Sequence, residues 1–274
     1  MPPKITASIV VFKNTPKLVL AAVKSFLDSS PEGILFLIDN SPQNTIGKHF
    51  ETEKRVNYIF NNKNLGFGAA HNIALVQSQE MGSVYHLVLN PDVYFDKKVI
   101  PELLNLMDTQ SDVGLVMPKV LYPDGRIQHL CKLLPSPENL FLRRFFPFNK
   151  KFDRTNHIYE LKFSGYDKMM DVPCLSGCFM LLRNDCLKKI GLFDEDIFLY
   201  TEDIDLTRRI HKHFRTVFYP AASIYHIHEK GSYKKLIPFL FHVKSVVTYF
   251  NKWGWFHDPE RELINRATLI KLTQ

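Results

Sequence analysis

The sequence predicts an α/β fold with a mostly parallel central sheet, flanked by helices and followed by C-terminal helices. Three observations predict it. Short β-branched runs alternate with helical patterns over the first 120 residues, the arrangement of strands joined by crossover helices. Each early strand ends in polar residues that such a topology collects on one edge. A chain of 274 residues with 45% hydrophobic content also has enough apolar side chain to bury a sizeable core.

In chain order, "ITASIVVF" (5–12) reads as the first strand, and "TPKLVLAAVKSFLDS" (15–29) as a helix capped by Thr15 with Pro16 at its first position. "GILFLIDN", "VNYIFNN" and "VYHLVLN" read as three further strands, the last two separated by a helix, "GFGAAHNIALVQSQ" (66–79), entered through glycines. The strand ends place Lys13 and Asn14, Asp39 and Asn40, Asn61 and Asn62, and Asn90 and Asp92 on a common edge, which reads as a nucleotide site. From about residue 121 the texture changes, and about 132–170, rich in aromatic and basic residues without clean periodicity, reads as a mobile insertion. Regular signals return with "CFMLLR" as a strand, "NDCLKKIG" as a short helix stopped by Gly191, and "TVFYP" and "SIYHIH" as strands. A helix from about Tyr233 to Trp253 and another opened by Asp258-Pro259 complete the chain. The expected organisation is one domain over 1–232, with a nucleotide-binding half (1–120) and an acceptor-binding half (121–232), then a helical extension over 233–274.

Charge narrows the partner. With 35 Lys and Arg against 28 Asp and Glu, the net charge of +7 suits an anionic partner: a nucleotide, a nucleic acid or an acidic membrane surface. Cys131, Cys174, Cys178 and Cys186 form neither a dense disulfide pattern nor a CxxC pair, so reduced thiols are expected. No signal-like start and no run of about 20 apolar residues is present, which places the protein in the cytoplasm.

Three stretches carry chemistry. "LNPDV" (89–93) puts Asp92 just past a strand end, where a carboxylate can hold a hard divalent cation that also binds phosphate; a turn without a ligand is the competing reading. "NNKNLGFGAAHN" (61–72) lacks the third glycine of a dinucleotide fingerprint, since His71 stands there. Its glycines serve either backbone approach to an anion or tight strand-to-helix packing. "FLYTEDIDLTRRI" (198–210) sets Glu202, Asp203 and Asp205 behind an aromatic approach. A cap at Thr201, the helix dipole and an Asp205–Arg209 pair account for tolerated acids, but not for the adjacency of Glu202 and Asp203. The pairs His211/His213 and His226/His228 do not make a convincing zinc site with Cys174 and Cys178, because i and i+2 diverge on a helix. His226 and His228 share one face of a strand and can offer an imidazole to a metal at Asp92.

Taken together and in order, "SIVVFKN", "LIDNS", "NNKNLGFGAAHN", "LNPDV", "LSGCFMLLRNDCLKKIGLFDEDIFLYTEDIDLTRRI", "YHIHEKGSYKK" and "YFNKWGW" resemble glycosyltransferase family 2, and most closely its bacterial rhamnosyltransferase subgroup. The resemblance implies a GT-A fold with a Rossmann-like sheet. It implies that Asp39 contacts the nucleotide base, that Asn64 and Gly66 line the sugar-nucleotide pocket, and that Asp92 ends a DxD-type metal motif in which Asn90 replaces the first acid. It makes Asp203 the catalytic base with Glu202 beside it, and His228, in preference to His226, the histidine that completes the metal site. The implied reaction is non-processive, inverting transfer from a nucleoside-diphosphate sugar, with dTDP-rhamnose favoured by the subgroup. It would be assisted by Mg²⁺ or Mn²⁺ and directed to a saccharide or lipid-linked acceptor in cell-surface polysaccharide synthesis. The processive QxxRW motif is absent.

"FLRRFFPFNKKF" and "YKKLIPFLFHVKSVVTYFNKWGW" can lie against the inner face of the membrane, with core packing the plainer reading of the second. Two other classes were weighed. A sugar-phosphate nucleotidyltransferase needs a glycine-rich loop after the first strand, and "FKNTPK" has no glycine; a nucleic-acid binder needs basic and aromatic residues interleaved along a groove, and only 141–152 offers them.

Overall fold

The computed structural model describes residues 2–140, 150–227 and 236–274. Its elements run β1 (Ile5–Val11), α1 (Pro16–Ser29), β2 (Ile34–Asp39), β3 (Val56–Phe60), α2 (Phe67–Glu80), β4 (Tyr85–Leu89), β5 (Val93–Phe95), α3 (Val99–Thr109) and β6 (Val113–Leu121). They continue with α4 (Lys150–Tyr159), β7 (Met170–Asp171), β8 (Phe179–Arg183), α5 (Asn184–Ile190), α6 (Glu202–His211), β9 (Arg215–His226), α7 (Leu236–Trp253) and α8 (Pro259–Thr273).

Among the described residues the strands form one nine-stranded sheet in the order β3-β2-β1-β4-β8-β6-β9-β5, with β7 on β9. The first four pair in parallel, as crossover helices require. Beyond β4 the sheet becomes mixed: β8 runs antiparallel to β4 and β6, while β6 and β9 are parallel. β4 is buried along its whole length, which is why "YHLVL" reads as a continuous apolar run rather than an alternating one. Fully buried Phe26, Leu35, Leu37, Val88, Leu103 and Leu182 fill the core, each contributing about 1.5–3 kcal/mol by its removal from water.

Some expectations change. Thr15 and Thr201 occupy N-cap positions, yet neither hydroxyl makes the capping bond. Thr201 Oγ1 instead donates to the carbonyl of Ser245, 3.1 Å away on α7. The runs "TVFYP" and "SIYHIH" are one strand, β9, whose pairing with β6 shifts register between Tyr219 and Ser223, around Pro220, a residue with no N–H for the ladder. α3 and β6 had no assigned counterpart in the sequence reading.

Two polar clusters brace the frame. His71 Nδ1, Ser8 Oγ, His86 Nε2 and Nδ1, and Thr6 Oγ1 form a buried chain of contacts at 2.7–2.8 Å linking α2, β1 and β4. Burial keeps both imidazoles uncharged, pushing His86 down to about 3. In the second cluster, Arg208 of α6 is buried and grips Asp258 through two bonds of 2.7 and 2.8 Å, Glu260 through two of 2.8 and 3.3 Å, and the face of Trp253 at 4.1 Å. α7 and α8 are thereby fastened to α6, the helix that begins with the acidic pair.

Candidate active site

A cleft of about 770 Å³ opens where the carboxyl end of β4, the loop before β8, the N-terminus of α6 and a strap over residues 127–134 converge. Asn90, Glu202, Asp203 and His226 line it, together with Gln128, Lys132, Cys174, Gly177, Cys178, Tyr200 and His242. Asp92 stands directly behind His226.

The acidic pair is held at one end. Gly177 donates its N–H to Asp203 Oδ2 at 2.9 Å, and Ile204 N–H reaches Oδ1 at 2.8 Å. A side chain at 177 could not fit unshifted, because its Cβ would lie 3.2 Å from Asp203 Cβ and 3.3 Å from the Phe67 ring. Glu202 is more deeply buried, and its Oε2 has no hydrogen-bond partner among the described residues. Burial, then the neighbouring Asp203 charge, pushes the Glu202 carboxyl up to about 8, against the pull of backbone N–H groups at 200–202. Asp203 is raised by burial, but Gly177 N–H and the charge of Lys132 favour its ionised form. The two carboxyls titrate as a coupled pair raised by burial, with the Gly177 N–H and Lys132 favouring negative charge on Asp203.

The aromatic approach has a structural cause. Leu199 N–H meets Ser245 Oγ at 3.3 Å, Phe198 packs on Phe241 with ring centroids 4.3 Å apart, and Tyr200 meets His242 edge to face at 5.3 Å. Tyr200 adopts φ +91°, a left-handed conformation rare for a side-chain-bearing residue, and it forms part of the cleft wall. Asp205 faces away from the cleft and bonds Arg209 at 2.8 Å, as its helical spacing predicts, and also Trp253 Nε1 at 2.8 Å.

At the other end, His226 Nε2 lies 3.3 Å from Asp92 Oδ1. Gln128 fixes the ring: its Nε2 faces two carbonyls, His226 O at 2.7 Å and Leu121 O at 3.3 Å, so its Oε1 is the atom 3.0 Å from His226 Nδ1. Nδ1 must then carry a hydrogen, and in the neutral ring the lone pair of Nε2 faces the carboxylate. Two electron-rich atoms at that separation call for a proton or a cation between them. Cis ligands about 2.1 Å from one octahedral ion lie about 3 Å apart, and metal-bound histidines characteristically donate their other N–H to an acceptor such as Gln128. The donor set thus fits a divalent cation. No group of three or more His, Cys, Asp or Glu among the described residues is arranged for a metal, so Asp92 and His226 are two donors only. The suggested zinc grouping does not form among these residues; His211 bonds Thr216 instead. His228 lies outside the described residues, as do 141–149 of the basic-aromatic segment.

The remaining sequence-chosen residues do not line this cleft. Asp39 is buried, accepting from Ser41 N–H at 2.8 Å and from the Tyr58 hydroxyl at 2.7 Å. Asn64 Oδ1 takes the Gly66 N–H at 3.0 Å, and Asn40 Nδ2 donates to Gly66 O at 3.0 Å. Gly66 has φ +86°, and a Cβ there would fall 2.5 Å from the Phe198 carbonyl, which also receives the Phe67 N–H at 3.0 Å. These residues join the nucleotide edge to the aromatic approach, so the tight-packing reading describes their contacts. Gln128, Lys132 and Gly177 escaped the sequence reading. The alternation in "RIQHLCK", which sets Gln128, Leu130 and Lys132 on one face of an extended strap, is the only local signal.

The model of the family described as "Glycosyltransferase like family 2" matches residues 2–237. The N-acetylglucosaminyl-diphospho-decaprenol L-rhamnosyltransferase of Mycobacterium tuberculosis is 26% identical over 263 residues, covering 90% of this chain and 84% of the relative. The low-salt glycan biosynthesis hexosyltransferase Agl10 of Haloferax volcanii is 22% identical over 174 residues, 63% of this chain and 52% of that protein. Among solved structures, GalNAc-T7 with UDP, GalNAc and Mn²⁺ superposes with a TM-score of 0.61 at 13% identity, over 83% of this chain and 43% of that one. S. aureus TarS gives 0.59 at 15% identity, over 97% and 43%. These structural likenesses establish the GT-A fold. The family match extends across the sheet, the cleft and the acidic pair: the chain belongs to glycosyltransferase-like family 2 and is a glycosyltransferase.

Proposed function

We propose that this protein transfers one sugar per encounter, with inversion, from a nucleoside-diphosphate donor to a saccharide carried on a lipid diphosphate, at the cytoplasmic face of a membrane. The observation that carries the reading is the shared cleft, lined by a backbone-held Asp203 and by His226, which has Asp92 beside it. The rhamnosyl donor and the lipid-diphosphate acceptor rest on the name of the mycobacterial relative, and dTDP-rhamnose is the donor of first choice. No helix among the described residues is long and apolar enough to cross a membrane, so contact with a lipid-borne acceptor would be peripheral.

Asp203 acts as general base. Its carboxylate takes the proton of the acceptor hydroxyl as that oxygen attacks the anomeric carbon, which inverts the configuration there. Gly177 and Ile204 N–H groups aim the carboxylate, and Glu202 carries the pair's remaining proton so that Asp203 stays ionised. Asp92 and His226 would hold Mg²⁺ or Mn²⁺, with Asn90 nearby and Gln128 orienting the imidazole. The ion would supply Lewis-acid neutralisation of the departing diphosphate. Asp39, Asn64 and Gly66 support the nucleotide edge from behind.

Titration of a nucleoside diphosphate with and without Mn²⁺ tests the donor end. Metal-enhanced binding that disappears in Asp92→Ala is expected; equal affinity with and without metal contradicts the assignment.

A further inference from the structure

Lys132 differs from every other cation on the cleft wall. It is half-buried on the strap, lines the same cleft as Asp203, and its side chain makes neither a hydrogen bond nor an ion pair with any described residue. Lys162, the other lysine on this wall, is paired with Glu160 at 2.7 Å. The position of Lys132 is fixed by its backbone: its N–H donates to Cys174 O at 2.9 Å, in an antiparallel bridge that joins the strap to the loop carrying Gly177. Its charge acts on Asp203, Cys174 and Cys178, which line the same cleft. A cleft-wall ammonium that no described side chain pairs can donate a charge-assisted hydrogen bond to an anion that arrives with the substrate.

The strap separates two places for that anion. Gln128, at one end, orients His226 beside Asp92, where the donor diphosphate is assigned. Lys132 lies four residues further along, a span of up to about 13 Å in extended chain, and is bridged to Cys174 of the loop whose Gly177 holds Asp203. We propose that Lys132 binds a phosphate oxygen of the acceptor's diphosphate, holding the acceptor sugar against Asp203. The inference rests on the lipid-diphosphate acceptor reading given above and names the residue that recognises it.

Geranyl diphosphate, titrated at fixed free Mn²⁺ with the donor site saturated by nucleoside diphosphate, probes this contact without requiring the acceptor sugar. Wild type is expected to bind it, Lys132→Met at least tenfold more weakly, and Lys132→Arg nearly as well as wild type, while nucleoside diphosphate affinity stays within twofold in all three. Circular dichroism melts check that the variants fold. Equal affinity of wild type and Lys132→Met for the probe, or no binding by wild type, overturns the proposal while leaving the donor assignment standing. A matching loss of nucleoside diphosphate affinity in Lys132→Met assigns the lysine to the donor instead and likewise overturns it. Failure of the donor reading itself would show separately, as absent metal-enhanced nucleotide binding in wild type.

Discussion

Glu202 and Asp203 are consecutive residues at the start of one helix and both line the cleft, yet Glu202 is the more buried, with an oxygen unpartnered among the described residues, while Asp203 accepts the Gly177 N–H at 2.9 Å. That division of environments separates their roles. Burial pushes the Glu202 carboxyl up to about 8 and raises Asp203 as well, while the Gly177 N–H and Lys132 favour the charged form of Asp203.

Replacing Glu202 with Gln mimics the protonated carboxyl. With the pair's proton on Glu202 in the proposed mechanism, Glu202→Gln should retain activity at pH 7 within about fivefold and keep the acidic limb of kcat/KM in place. Stability carries the opposite mark. A carboxyl whose folded pKa is raised contributes most below its unfolded value near 4.5 and loses that contribution as pH rises through about 8. The melting temperature of Glu202→Gln should therefore gain on wild type between pH 5 and 8.5, by the equivalent of up to a few kcal/mol. Parallel melts that stay superimposable across that range would contradict the proton's placement.

Gln128 should control metal affinity without touching the metal. Its Oε1 lies 3.0 Å from His226 Nδ1, and removing such an orienting acceptor characteristically costs about 10–100-fold in affinity. Gln128→Leu is expected to weaken Mn²⁺-dependent nucleoside diphosphate binding by that factor while leaving metal-free binding unchanged. Calorimetry with and without Mn²⁺ reads both.

The buried Arg208 should hold the C-terminal helices to the catalytic one. Arg208→Ala would leave Asp258 buried without its bidentate partner, and one-sided loss of a buried pair costs about 3–5 kcal/mol. Urea melts followed by tryptophan fluorescence are well placed to see it, because Trp253 stacks on the guanidinium.

The parallel half of the sheet was legible because its information is local: β-branched runs, Pro16 at a helix start and polar strand ends lie within a few residues of one another. The second half was less so. α3 and β6 carry ordinary apolar patterns with no motif attached, and β9 looked like two strands because Pro220 interrupts its ladder. At the site, Asp203 and Asp92 stood out through their motifs. Gln128 did not, since its meaning depends on His226, 98 residues away, and Gly177 gains its meaning only from Asp203, 26 residues on. The sequence reading preferred His228 as metal ligand; the histidine beside Asp92 in the described residues is His226, because the β5–β9 register sets it opposite Val93.

Asp203→Asn is the most direct test of the account. The amide keeps the shape and can still accept the Gly177 N–H, but it cannot take a proton from a hydroxyl. With donor and acceptor supplied, turnover should fall by about 10²–10⁴-fold while nucleoside diphosphate affinity remains within twofold of wild type. Turnover by Asp203→Asn equal to that of wild type would contradict the assignment of Asp203 as the base.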